Sequence, residues 1–190
     1  TGGALAVLAM QPQATLLSSI EDGHELQAVR PAKRCEAGQR WTWEGVEFLV
    51  LHPHPGDYAG APKPNALSCV LRVQPAQGPS LLLTGDIEAA QELELVARAG
   101  ERLRAPLLLL PHHGSATSST PEFLTAVKPA TALIQAGYRS RYGHPAPPVS
   151  SLADLAVLRS WMSGHEVLGA IPDASRRRIE LGLYEMSANV

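Results

Sequence analysis

Two apolar runs in this chain stop on residues that bind metals. One is Leu81-Leu82-Leu83-Thr84-Gly85-Asp86, and the other is Leu107–Leu110 followed by Pro111-His112-His113-Gly114-Ser115. Each run has about the length of a strand. A strand that ends at a sheet edge can turn an aspartate or a histidine into a cleft instead of the core. A third stretch, Arg141-Tyr142-Gly143-His144-Pro145, puts another histidine between a glycine and a proline, a poor place for a core residue. Sites 26 to 58 residues apart point to one metal centre assembled from several loops. Imidazole and carboxylate are ligands that zinc, manganese and iron accept, and a bridging carboxylate suits a two-metal hydrolase. A lone histidine is more often an ordinary surface or core residue. The set, with a glycine beside each histidine site, carries the reading.

The rest of the chain supplies alternating strands and helices, the pattern of a layered α/β protein. Residues 2–10 predict a short helix, 14–19 a strand, and 21–29 a turn leading into another strand. The stretch from Arg40 to Leu51 predicts a hairpin with Gly45 in its turn. A proline-rich loop follows over 52–64. Residues 66–73 and 80–86 predict two strands joined by a turn. After Asp86, the apolar residues Ile87, Leu93, Leu95, Val96 and Ala97 predict a helix stopped at Gly100. Ser119-Thr120-Pro121-Glu122 reads as a helix start. Residues 131–137 predict a strand, 150–162 an amphipathic helix, and 165–171 with 177–184 two last strands. No period of 20–50 residues repeats, and one domain over 1–190 is expected.

With 190 residues, 45% of them hydrophobic and 18% charged, the chain can bury a core of its own. A net charge of −2 gives no overall pull toward nucleic acid. Phosphodiester chemistry stays open, because bound metals supply positive charge of their own. The basic clusters at Arg30–Arg34 and Arg176–Arg178 read as solvated faces, whereas Arg139 and Arg141 flank His144. Two cysteines, Cys35 and Cys69, are too few for a disulfide scaffold; a bridge between them is possible. The longest apolar runs fall far short of the ~20 residues that span a bilayer.

Asn65–Ser68 within KPNALSCVLRV, LLLTGDIE, PHHGSATSS and AGYRSRYGHP resemble, in order and approximate spacing, the C-terminal metallo-β-lactamase-like domain of ComEC-type DNA uptake proteins of natural competence. The resemblance covers most of the chain from about residue 45 to 185. HHGS occurs in several branches of that superfamily, but HHGS followed about 30 residues later by RYGHP is much more specific. The superfamily's first metal motif, H-x-H-x-D-H, or nearer H-x-D-x-D-H-x-G-G in this branch, is missing. Thr1-Gly2-Gly3 is what should follow it, so the ligands it carries are expected just before Thr1. His52-Pro53-His54-Pro55-Gly56-Asp57 is the nearest substitute, but it lacks the last histidine and reads as a proline-rich turn.

The resemblance implies an αββα sandwich, truncated at its N-terminus, with metals at one edge of two sheets. It implies Asp86 as the bridging carboxylate, His144 as the last ligand, and one imidazole of His112 and His113, taken as His113, facing the metal. The other would hydrogen-bond behind it, and sequence does not decide which is which. Asp86, His112 and His113 are the implied catalytic residues. Asn65 and Ser68 occupy a region where many relatives place another histidine, which puts a second metal in doubt. Asn65, Ser68, Ser115, Tyr138 and Arg141 are the implied substrate contacts; for Tyr138 and Tyr142 alike, stacking on a base or stabilising a leaving oxygen stands beside plain packing as an equal alternative. The implied activity is hydrolysis of a phosphodiester, on the DNA strand that is not imported, with zinc or manganese. Metal binding by this stretch alone is expected to be weak. Implied partners are single-stranded DNA and the remainder of the membrane channel, with no small organic cofactor. The implied location is a soluble domain on the extracytoplasmic side of an inner membrane protein. Two alternatives stand beside it: a non-catalytic docking module of the channel, and a lactonase-like small-ester hydrolase.

Overall fold

The hairpin at Gly45 begins the main sheet. Glu44 and Gly45 both adopt positive φ, 49° and 79°, as a two-residue turn with the twist of its flanking strands requires. Strand β3 (Arg40–Trp43) thereby pairs antiparallel with β4 (Val46–His52), and Trp41 stacks on its cross-strand partner Phe48 at 5.1 Å. The computed structural model describes residues 2–60, 62–135, 142–146 and 156–158. These fall into two compact units, one within residues 34–160 and a smaller one within residues 2–33.

In the larger unit, β4 pairs with β5 (Val70–Pro75), and β5 with β6 (Leu81–Leu83), both antiparallel. From β6 the sheet turns parallel. Strand β7 (Leu107–Leu109) lies beside β6, and β8 (Thr131–Leu133) beside β7. These six strands make a mixed sheet, and β9 (Ala156–Leu158) adds a seventh, parallel to β8. Parallel neighbours need crossovers, and helices α3 (Ala89–Ala99) and α4 (Pro121–Val127) supply them. The α3 helix ends at Gly100, whose φ of 54° is open to glycine at little cost. Thr120 caps α4 by accepting from Phe123 N–H, with Pro121 in the first turn.

Pairing register puts Leu49, Leu82, Leu108 and Ala132 on one face of the sheet. They pack with Leu95 and Ala99 of α3 and with Phe123 and Val127 of α4, in a core that also takes in Ile87, Leu103 and Ala105. Each large apolar side chain buried this way contributes about 1.5–3 kcal/mol. A disulfide joins Cys35 to Cys69, with Cα atoms 6.2 Å apart.

In the smaller unit, α1 (Gly2–Met10) and β1 (Leu17–Ser18) lie within the spans expected for a helix and a strand. Strand β2 (Lys33–Arg34) pairs with β1. The strand expected from 21–29 is instead a helix, α2 (Glu25–Val29). His24 is the reason, since its Nδ1 accepts Leu26 N–H at 3.1 Å and caps a turn that the five-residue pattern leaves ambiguous. The helix expected over 150–162 is also corrected, because Ala156–Leu158 is a strand. A short apolar run serves a buried strand and a buried helix equally well, and here pairing with β8 decided. The rest of that stretch, 165–171, 177–184, Arg176–Arg178, Tyr138, Arg139 and Arg141 lie outside the described residues. Among the described residues no helix is long and apolar enough to cross a membrane.

Candidate functional site

Strands β6 and β7 are parallel neighbours, so their carboxyl ends open on the same edge of the sheet, where open α/β sheets hold their ligands. Asp86 leaves the first and His112–His113 leave the second. Thr84 Oγ1 donates to Leu109 C=O (2.7 Å), and His112 N–H donates to Gly85 C=O (3.0 Å). Leu110 N–H reaches Leu133 C=O at 2.8 Å, and Ala146 N–H reaches Gly114 C=O at 2.9 Å. The second of these bonds ties the 142–146 segment to the histidine turn. That turn is tight: His112, His113 and Gly114 take φ of 48°, 56° and 74° in succession. Non-glycine residues are uncommon there, and such strain persists where the surroundings over-determine it.

The aspartate is held from its other side. Asp86 N–H donates to Ser68 Oγ at 3.1 Å, and the turn that presents Ser68 closes through Ser68 N–H to Asn65 C=O. Gly85, at φ 57°, lies so near that a Cβ on it would stand 2.9 Å from Ser68 Cβ. Of the expected substrate contacts, Ser68 and Asn65 are thus placed behind Asp86. Ser115 is buried, its hydroxyl 3.0 Å from Thr117 Oγ1. Tyr142 stacks on His144, ring centroids 6.0 Å apart.

The three imidazoles sit together, with centroids 5.7 Å apart for His112 and His144, 6.4 Å for His112 and His113, and 6.5 Å for His113 and His144. His113 Nδ1 is 2.7 Å from Gln135 C=O. A carbonyl can only accept, so Nδ1 carries a proton, and in the neutral ring the lone pair is on Nε2. That Nε2 stands 3.5 Å from Asp86 Oδ1. His112 Nδ1 lies 3.3 Å from Glu88 Oε1 and 3.4 Å from Thr117 Oγ1. The ring of His144 has a buried Nδ1 with no hydrogen-bond partner among the described residues. Burial, with His112 and His113 nearby, holds its pKa below the usual histidine value against the pull of Asp86, so the ring stays neutral at neutral pH.

With the ring neutral, this lone pair and the carboxylate oxygen at 3.5 Å are two acceptors, which a cation between them, a metal ion or a proton, would reconcile. Two ligands each ~2.1 Å from a tetrahedral ion lie about 3.4 Å apart. The donor chemistry therefore fits a divalent metal, with His113 and Asp86 as one ligand pair. Among the described residues, however, no group of three or more histidine, cysteine, aspartate and glutamate side chains is placed to hold an ion. The fit is that of a partial set.

Glu88, Thr117 and Gln135 were not singled out from sequence. Glu88 had a signal, standing two residues after Asp86 in LLLTGDIE, while the other two are set by loop geometry alone. The HPHPGD stretch is structural. His52 is buried, and its Nε2–H donates to Ala66 C=O at 2.8 Å. Asp57 accepts from His54 N–H at 2.7 Å and pairs with Arg98 at 3.2 Å.

No family model matches the chain. It is 41% identical over 136 residues to competence protein ComA of Neisseria gonorrhoeae, covering 70% of this chain and 19% of that protein. It is 34% identical over 155 residues to ComE operon protein 3 of Bacillus subtilis, covering 78% of this chain and 19% of that protein. Recombination protein 2 of Haemophilus influenzae is 33% identical over 136 residues, which cover 72% of this chain and 16% of that protein. The chain thus spans about a fifth of the length of the curated relatives it matches.

Proposed function

Since the chain belongs with the ComEC-type competence proteins as a domain-sized part of them, we propose that it is the metallo-β-lactamase-like hydrolytic domain of a DNA uptake protein. It would cleave phosphodiesters of the DNA strand that is not imported, on the extracytoplasmic face of the membrane. The observation that carries this reading is the meeting of Asp86, His113, His112 and His144, from three separate segments, at the carboxyl ends of β6 and β7. An αββα sandwich would complete the mixed sheet seen here.

In this reading His113 Nε2 and Asp86 would hold a divalent ion, zinc or manganese, with His144 beside them. Such an ion, when bound, supplies Lewis acidity for a water and for a phosphate oxygen. The protein's own contributions are positional. The Gln135 carbonyl fixes the His113 tautomer, and Ser68 fixes the main chain of Asp86. His112, oriented through Nδ1 by Glu88 and Thr117, would give up its Nε2 proton to a leaving alkoxide from the doubly protonated imidazolium form, leaving the neutral Nδ1–H ring. Tyr142 offers a half-open ring on which a base can stack. Arg141 would hold a phosphate without reading sequence.

The test incubates a labelled single-stranded oligonucleotide with the 190-residue chain and with a version extended upstream of Thr1, each with manganese and with EDTA. Metal-dependent cleavage by the extended protein, lost in Asp86→Asn, is expected. Hydrolysis of a lactone without cleavage of DNA would replace this reading with the small-ester one. Inactivity on both would leave the docking module.

A further inference from the structure

Glu92 is fully buried, on the stripe of α3 that also carries Leu95 and Ala99. A carboxylate in a core needs donors, and this one takes them from the main chain of a loop 27 and 28 residues away. Ser119 N–H donates to Oε1 at 2.6 Å, and Thr120 N–H donates to Oε2 at 2.8 Å. Two main-chain donors thus meet the two carboxylate oxygens, and bonds to an ionised carboxylate are the stronger kind.

The loop so gripped is the one that follows the double-histidine turn. Ser118, next to Ser119, turns its buried hydroxyl back so that its one proton is shared between Pro111 C=O at 3.0 Å and Ser115 C=O at 3.2 Å. Pro111 directly precedes His112. Thr117 C=O accepts Ala89 N–H at 3.0 Å, fixing the same loop to the start of α3. Ser119 itself has a φ of 62°. A continuous path of short contacts therefore runs from Glu92 through Ser119 and Ser118 to the residue before two histidines in left-handed backbone. A pair of strained residues like that needs bracing from outside the turn.

We propose that Glu92 is a positioning residue for this turn, gripping Ser119 and Thr120 so that the rings of His112 and His113 point the way they do. The role rests on the proposed function only for the reason the rings must be held. Ring geometry itself is measurable without metal or substrate, so failure to cleave DNA would leave Glu92's role standing.

Glu92→Gln keeps the shape but places an amide donor against a main-chain donor. In that variant the Ser119 and Thr120 amides should exchange with deuterated water at least tenfold faster. The nitrogen-15 spectrum should also lose the single Nδ1–H tautomer of His113. Leu95→Ala, on the same stripe of α3, serves as the control: it should lower the melting temperature yet leave that tautomer intact well below melting. A folded Glu92→Gln protein with unchanged His113 ring signals would overturn the assignment. Should Glu92→Gln not fold, Ser118→Ala cuts the path one step later with the carboxylate still in place. Unchanged His112 and His113 rings in Ser118→Ala would overturn it equally.

Discussion

His113 Nε2 and Asp86 Oδ1 face each other at 3.5 Å although neither oxygen nor nitrogen can donate when the ring is neutral and its Nδ1–H is given to Gln135. The pair is delivered by neighbouring parallel strands whose ends are bonded together through Thr84 and Gly85. Its closeness is thus a property of the sheet and is expected to persist without any ion.

The 190-residue chain should bind zinc or manganese weakly. His113 and Asp86 make one ligand pair, and among the described residues no group of three or more candidate ligands is placed to hold an ion. Sites short of charged ligands lose affinity steeply. Elemental analysis after dialysis should give well under one metal per chain, and stoichiometric metal would contradict the prediction.

Gly85→Ala should destabilise the domain and disturb Asp86 together. An alanine at φ 57° costs about 1–2 kcal/mol in backbone strain, and its Cβ would meet Ser68 Cβ at 2.9 Å. A total loss of about 2–4 kcal/mol is expected once crowding is added. Urea midpoints measure it. Ser68→Gly, by making room, should recover part of the crowding and none of the strain.

Stability should fall as pH drops below ~6.5, the value a histidine takes in the unfolded chain. Burial lowers the pKa of His52, outweighing its bond to Ala66 and the nearby Asp57. His144 is lowered as well, by burial and its histidine neighbours. The unfolded chain therefore takes up protons that the folded one resists, so this stability is full above ~6.5 and is lost below it. Asp57 contributes only at lower pH. Burial raises its pKa, but His54 N–H, Arg98 and His52 together bring it below the ordinary carboxylate value. Unfolding free energies between pH 8 and pH 5 should decline, with a shallower slope in His52→Asn. A rise on acidification would refute the assignment.

Reducing the Cys35–Cys69 bridge should cost about 3–4 kcal/mol, the loop-closure value for a sequence separation of 34. Melting with and without reductant reads it, and Cys35→Ser should match the reduced protein. Because Cys69 adjoins Ser68, which holds the Asp86 main chain, the Asp86 amide should shift on reduction while α4 amides stay put. Equal melting temperatures in both conditions would show that the bridge does no constraining.

The sequence alone determined the strands that carry the site. LLLTGD and LLLLPHHGS are each apolar up to a polar stop, and that is local information: a run of strand length bounded by glycine or proline favours a buried strand, and the polar residues after it mark the sheet edge. The hairpin at Gly45, the stop at Gly100 and the Thr120–Pro121 helix start were legible for the same reason, since backbone chemistry fixes each within a few residues. Tertiary structure decided what local chemistry leaves degenerate. Ala156–Leu158 became a strand because β8 offered it a ladder. On α3, Leu93, one of the apolar residues that predict the helix, is 64% exposed, while Glu92, the charge beside it, is buried. The helix turned that way because two main-chain amides of a distant loop supply the donors a buried carboxylate needs. No window around Glu92 contains Ser119 or Thr120, and the same holds for Gln135 and the tautomer of His113. A partner brought close only by folding writes no pattern into the neighbouring sequence.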